Sequence, residues 1–116
     1  MNSTKNYYES VEQIKNLSDF LDFIGNARYS GTASILINPG HLTDDFFDLK
    51  TGLAGEYLQK ISNYAMRAAI ILSESHLEQP RFREMVYEAN KSGRSIAYFF
   101  DKKEAKEWLD VCLDNT

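Results

Sequence analysis

Three short apolar runs, each followed by a longer amphipathic segment, limit what this chain can fold into. They are TASILIN at 32–38, AAIIL at 68–72 and SIAYFF at 95–100. Each has strand length and is apolar at consecutive positions, the pattern of a strand buried on both faces. Strands of this kind joined by helices pair in parallel through right-handed crossovers, and the helices cover the sheet. The expected class is α/β: a small, mainly parallel sheet of three to four strands with four helices.

The helical segments carry their own punctuation. Ser18 reads as an N-cap, Asp19 and Asp22 suit the first turn, and Gly25 or Asn26 marks an end. The same spacing runs back through Leu17, Ile14 and Val11, so an earlier start also fits, and Tyr7 and Tyr8 fit a short strand. Asn38-Pro39-Gly40 is a turn. Thr43 then caps a segment with Asp44 and Asp45 in its first turn, which breaks at 49–52. Beyond the break Ala54, Tyr57, Leu58, Ile61, Tyr64, Ala65 and Ala68 form one stripe, with Glu56, Gln59, Lys60 and Asn63 outside it. Glu56 and Lys60 are four apart in the favourable order for an ion pair. Pro80 opens the third helix, Phe82, Met85, Val86 and Ala89 give its buried stripe, and Gly93 ends it. Asp101 and Glu104 read as a capping box for the last helix, where Ala105, Trp108, Leu109 and Cys112 share a face.

Composition narrows the function classes. With 116 residues the chain is expected to be one domain, residues 1–116. An apolar content of 43 % excludes a disordered chain, and no run approaches the ~20 apolar residues of a membrane span. The start, MNSTKNYYESVEQ, has no basic region leading into an apolar one, and a single cysteine forms no internal disulfide, so the expected location is the cytoplasm. There are 13 basic and 17 acidic residues, a net charge of −4, which makes nucleic acid an unlikely partner and gives no reason to bind a membrane. Arg81, Arg83, Lys91 and Arg94 form only a modest basic patch.

Each chemical candidate competes with a plainer reading. Asp44, Asp45, Asp48 and Glu56 offer clustered oxygens to a hard cation, but carboxylates at a helix start also answer the helix dipole. The small residues of Thr51-Gly52-Leu53-Ala54-Gly55 admit either a phosphate or close packing, and no nucleotide-binding fingerprint accompanies them. Cys112 fits a buried apolar site, and His41 and His76 fall in loops after strands, too few for zinc. No catalytic residue, metal or cofactor is assigned. Seven tyrosines exceed what a small core needs, and tyrosine is enriched at interfaces.

The block LTDDFFDLKTGLAGEYLQKISNY at 42–64 resembles the bacterial family catalogued as domain of unknown function 4180, whose block reads like LTEDFFDLKTGLAGEILQKFxNY. Thr43, Asp45, Phe46, Phe47, Asp48, Leu49, Thr51, Gly52, Ala54, Gly55, Glu56, Gln59, Lys60, Asn63 and Tyr64 fit it directly. The likeness continues through AAIIL, through FREMVYEANKSGRSIAYFF and into EA-x-x-WL at 104–109, and backwards through LSDFLDFIGNARYSG. The resemblance implies a longer N-terminus in family members, with a β-hairpin ahead of the first helix where this chain has only MNSTKNYYES, and the family's GDF after the second strand is Ser73-Glu74-Ser75 here. The resemblance implies a fold similar to the anti-sigma-factor antagonist (STAS-like) domains, with Thr51 near their phosphorylatable hydroxyl by analogy.

The expected function is a non-enzymatic regulatory or inhibitory module that binds another protein or a second copy of itself as a homodimer. Its contact residues are Asp48, Thr51, Glu56, Gln59, Lys60, Asn63 and Tyr64. A solvated face is free to vary, so a polar face that follows the family block points to shared binding. A phage or mobile-element product aimed at a host bacterial system suits such a module. The alternative is a small-molecule-binding domain or weak enzyme built on the strand-end loops, with His41, Thr43, Asp48, Thr51 and His76 around the site and Glu56 or Lys60 as acid or base.

Overall fold

The computed structural model describes residues 7–92 and 95–111. Gly93, Arg94 and Cys112 lie outside them. The elements run β1 (Tyr8–Glu9), α1 (Leu17–Ser30), β2 (Ser34–Ile37), α2 (Asp44–Phe47), a 3₁₀ turn (Leu49–Thr51) and α3 (Leu53–Asn63). They continue as β3 (Arg67–Ile71), a second 3₁₀ segment (Glu74–Glu78), α4 (Pro80–Ser92), β4 (Ile96–Phe99) and α5 (Lys102–Val111). The class is α/β, as the alternation of runs requires.

The sheet has four strands in the order β1-β2-β3-β4, all parallel. In this order each strand lies beside its predecessor. Crossovers of one hand then place every connecting helix on the same face. That face carries Ile35 and Ile37 of β2 and Ala68 and Ile70 of β3, and it packs on Phe20, Phe23 and Ala27 of α1, Tyr57 and Ile61 of α3 and Phe82 of α4. The opposite face would be bare without α5. Ala105 and Leu109 of α5 bury Leu36, Ala69 and Ile71 there. Arg67, at the start of β3, holds the far end of α5: its guanidinium lies 3.8 Å from the Trp108 ring centroid and donates to the carbonyls of Trp108 and Leu109.

Several boundaries differ from the sequence reading. α1 neither starts at Ser18 nor stops at Gly25. Asn16 is its cap, accepting from the Asp19 amide, while Asp19 reaches back to the Lys15 amide. Gly25 is an exposed helical residue, and α1 ends at Gly31, whose φ of 102° lets the Gly31 and Thr32 amides bond Arg28 and Ala27 carbonyls. The α3 stripe does not continue to Ala68. The helix stops at Asn63, Ala65 takes φ 53°, and Met66 is already buried at the entrance to β3. Asp101 caps α5 through the Lys103 amide. Tyr7, Tyr8, Tyr57 and Tyr98 are in or against the cores, so the surplus of tyrosines at the surface is Tyr29, Tyr64 and Tyr87. Among the described residues no helix is long and apolar enough to cross a membrane.

Candidate functional site

The two ends of the sheet are built unequally. At the amino ends of the strands, α1 reaches β2 through 31–33 and α3 reaches β3 through 64–66, short turns that only reverse the chain. At the carboxyl ends, 38–52 separates β2 from α3 and 72–79 separates β3 from α4. Loops beyond what reversal requires are where α/β proteins place their binding groups.

These two long connections enclose an open cleft of about 1100 Å³. Phe47 and His76 form its centre, with rings stacked at 3.7 Å and 5°. Phe47 meets Phe82 of the core edge-on at 5.3 Å, so the stack is anchored from below. Asp44 and Asp48 stand on one wall, Arg81 on the other, and Lys50 at the rim. His76 Nδ1 accepts the Ser73 amide at 3.3 Å, which assigns the ring proton of the neutral form to Nε2. Burial holds the His76 pKa below its usual 6.5, against an opposing pull from Asp44. The unfolded chain therefore takes up this proton first. Stability from this site is complete above pH 6.5 and falls as pH drops from there through the lower folded value. His76→Phe, which keeps a stacking ring, is expected to flatten the stability profile below pH 6.5. Equal slopes for wild type and variant in urea titrations would contradict it.

Of the seven contact residues expected for a protein partner, Asp48 alone lines the cleft; of the alternative loop site, Asp48 and His76 do. Its carboxylate caps the 3₁₀ turn at the Lys50 amide. The Thr51 hydroxyl shares its hydrogen between the Asp45 and Asp48 carbonyls, at 2.6 and 2.9 Å, and accepts the Leu53 amide. It fastens the break between α2 and α3. From there Glu56, Gln59, Asn63 and Tyr64 run along the solvent side of α3, all exposed, with Lys60 half-buried beside them. Gln59 donates to Asn63 at 2.9 Å. The expected Glu56–Lys60 ion pair is not formed, although the spacing allows it. The Tyr64 carbonyl accepts from Arg28, and Tyr29, the next residue of α1, is 95 % exposed. Glu56, Gln59, Lys60 and Asn63 thus follow one side of α3, and His41, Thr43 and Thr51 do not line the cleft.

His41 belongs to a cluster that spacing does not reveal. The Ser10 hydroxyl lies 2.6 Å from His41 Nδ1 and accepts the Asn38 amide. The Asn38 side chain donates to Ser10 O and to Glu9, and Glu9 pairs with Lys102. A serine beside a histidine invites a nucleophile–base reading, but Ser10 is 3 % exposed and its hydroxyl is already engaged. The cluster clamps β1 to the loop after β2 and to α5. Among the described residues no group of three or more metal-ligating side chains gathers in one place. Asp44 and Asp45 occupy the first turn of α2 instead.

A family model described as Domain of unknown function (DUF4180) matches residues 4–109. The chain belongs to that family. The DUF4180 match takes in all four strands, the cleft and the whole α3 strip, so these are features of the family domain in this chain and not additions to it. No curated protein and no solved structure matches the chain. The STAS-like likeness therefore stays a sequence resemblance.

Proposed function

We propose that this DUF4180 protein is a non-enzymatic regulatory or inhibitory module that binds another protein through the strip from Asp48 and Thr51 along Glu56, Gln59, Lys60 and Asn63 to Tyr64. The observation that supports the reading is that Asp48, at the start of this series, also lines an open cleft. Small ligands are held in pockets of roughly 300–1,000 Å³ that bury most of their surface. The cleft, of about 1100 Å³, is at the upper end of that range and open to solvent. A protein segment lying across its mouth and along α3 covers it, with Gln59 and Asn63 already held in one arrangement by their mutual bond.

The test is charge reversal at Glu56 and Lys60 together. Both side chains reach solvent, so the variant is expected to melt within a few degrees of wild type. In affinity purification from the native cell, or in sedimentation if the partner is a second copy, it is expected to lose the partner by at least about tenfold. Undiminished capture by a folded variant removes this face from the proposal.

A second reading has one specific observation behind it. The Phe47–His76 stack at the carboxyl ends of β2 and β3 places an aromatic pair and an imidazole N–H donor in the cleft. A small planar ligand is the alternative occupant. Thermal stabilisation by nucleotides or acyl compounds, abolished in Phe47→Ala, favours it over the protein partner.

A further inference from the structure

The sheet ends in β4 on one side, and an outer strand is a template for any chain that offers a matching backbone. The Ala68 and Leu72 amides bond the Ser95 and Phe99 carbonyls, so these residues of β4 face β3. Alternation turns the main-chain groups of Ile96, Tyr98 and Phe100 to the open side.

The centre of that row is already occupied. Asn90 of α4 accepts the Tyr98 amide at 2.7 Å and donates its own side-chain N–H to the Tyr98 carbonyl at 3.1 Å. Two residues of an antiparallel pair exchange the same two bonds. A single primary amide therefore stands where the next strand would place a peptide group. The flanks show why the place needs filling. Phe100 is 52 % exposed, and with Trp108 it lines a shallow cavity of about 360 Å³ beside Asn90 and Tyr98. An open edge with an apolar flank is adhesive, and the chain most often available to it is another copy of the same sequence.

We propose that Asn90 is an edge plug: its side chain takes the position of a fifth strand and keeps a second copy of this chain off β4. The occupant excluded is the β4 strand of that copy, running antiparallel about a two-fold axis, which would join two sheets into one.

Asn90→Ala and Asn90→Asp test it. Alanine removes both bonds; aspartate keeps the acceptor but loses the donor. Asn90→Ala is expected to form a concentration-dependent dimer in sedimentation velocity while wild type shows no association through this edge. Phe100→Lys added to Asn90→Ala should restore the monomer, since an edge lysine opposes strand pairing. Hydrogen exchange at the Tyr98 amide is expected to be protected in wild type and in Asn90→Asp, which keeps the acceptor, and to speed up by at least about tenfold in the Asn90→Ala monomer. If Asn90→Ala does not fold, exchange at the wild-type Tyr98 amide decides the matter alone. A folded Asn90→Ala that stays monomeric at high concentration, or a Tyr98 amide unprotected in wild type, overturns the proposal. Neither result bears on the α3 strip, none of whose residues holds Tyr98 or lines the cavity beside it.

Discussion

Replacing Phe46 by alanine is expected to lower the unfolding free energy by about 3–5 kcal/mol, a large part of the roughly 5–15 kcal/mol that holds a domain of this kind. Phe46 is 1 % exposed and is the meeting point of three other rings: Phe47 at 5.2 Å, Tyr57 at 5.6 Å and Phe82 at 6.4 Å. Its helix, α2, has four residues, too few to be helical without tertiary contacts. The ring is thus the anchor of the wall that carries Asp44, Phe47 and Asp48. Urea denaturation measures the loss. A second readout concerns the cleft: with the wall loosened, the His76 ring is less buried and its titration should return toward 6.5, visible by NMR. A loss under about 1 kcal/mol, or a His76 titration identical to wild type, would show that the cleft does not depend on this ring.

The strands were legible because their information is local. Ser34–Ile37, Arg67–Ile71 and Ile96–Phe99 fall within or against the apolar runs, and burial on both faces is what makes such runs continuous. Helix ends were less legible because they depend on which backbone amides find a carbonyl. Gly25 and Gly31 are the same residue type six positions apart, and only the Schellman bonds at Gly31 separate terminator from passenger. Ala65 shows the converse: a left-handed φ of 53° at an alanine has no sequence signature, and it shortened the stripe expected to reach Ala68.

The site divides along the same line. The α3 strip follows from helical spacing and could be read directly. The cleft was legible only in part: the strand-end loops with Asp48 and His76 were read as an alternative site, but the stack of Phe47 on His76 was not, because the two rings come from connections whose approach is fixed by the neighbouring positions of β2 and β3. Ser10 and His41 are 31 residues apart, and Asn90 and Tyr98 sit on different elements. Each pair is joined by parallel topology, which the alternation implied, and by register, which it did not.

The alkaline limb of the stability curve is expected to fall steeply, and Tyr57 is one of two reasons. Its ring is fully buried, stacked on Phe20 at 4.2 Å and 3°, and its hydroxyl has no protein hydrogen-bond partner. Burial first, then the nearby Asp19, Glu56 and Asp45 carboxylates, push its pKa from 10.0 up to about 12. The unfolded chain releases this proton from pH 10, and the folded chain holds it. The stability is therefore complete below pH 10 and is lost as pH rises toward 12, by on the order of 2–3 kcal/mol. Burial raises the Tyr98 pKa as well, so that residue adds to the fall over the same limb. Tyr57→Phe separates the two contributions. A hydroxyl that makes no bond to the protein surrenders none when removed, so the variant should be at least as stable as wild type at pH 7. Above pH 10 it should hold a clear advantage, read as a shallower loss in denaturant midpoint. Parallel curves for the two proteins would mean that Tyr57 ionises as easily folded as unfolded, and that the aromatic layer beneath α1 and α3 admits charge the packing says it excludes.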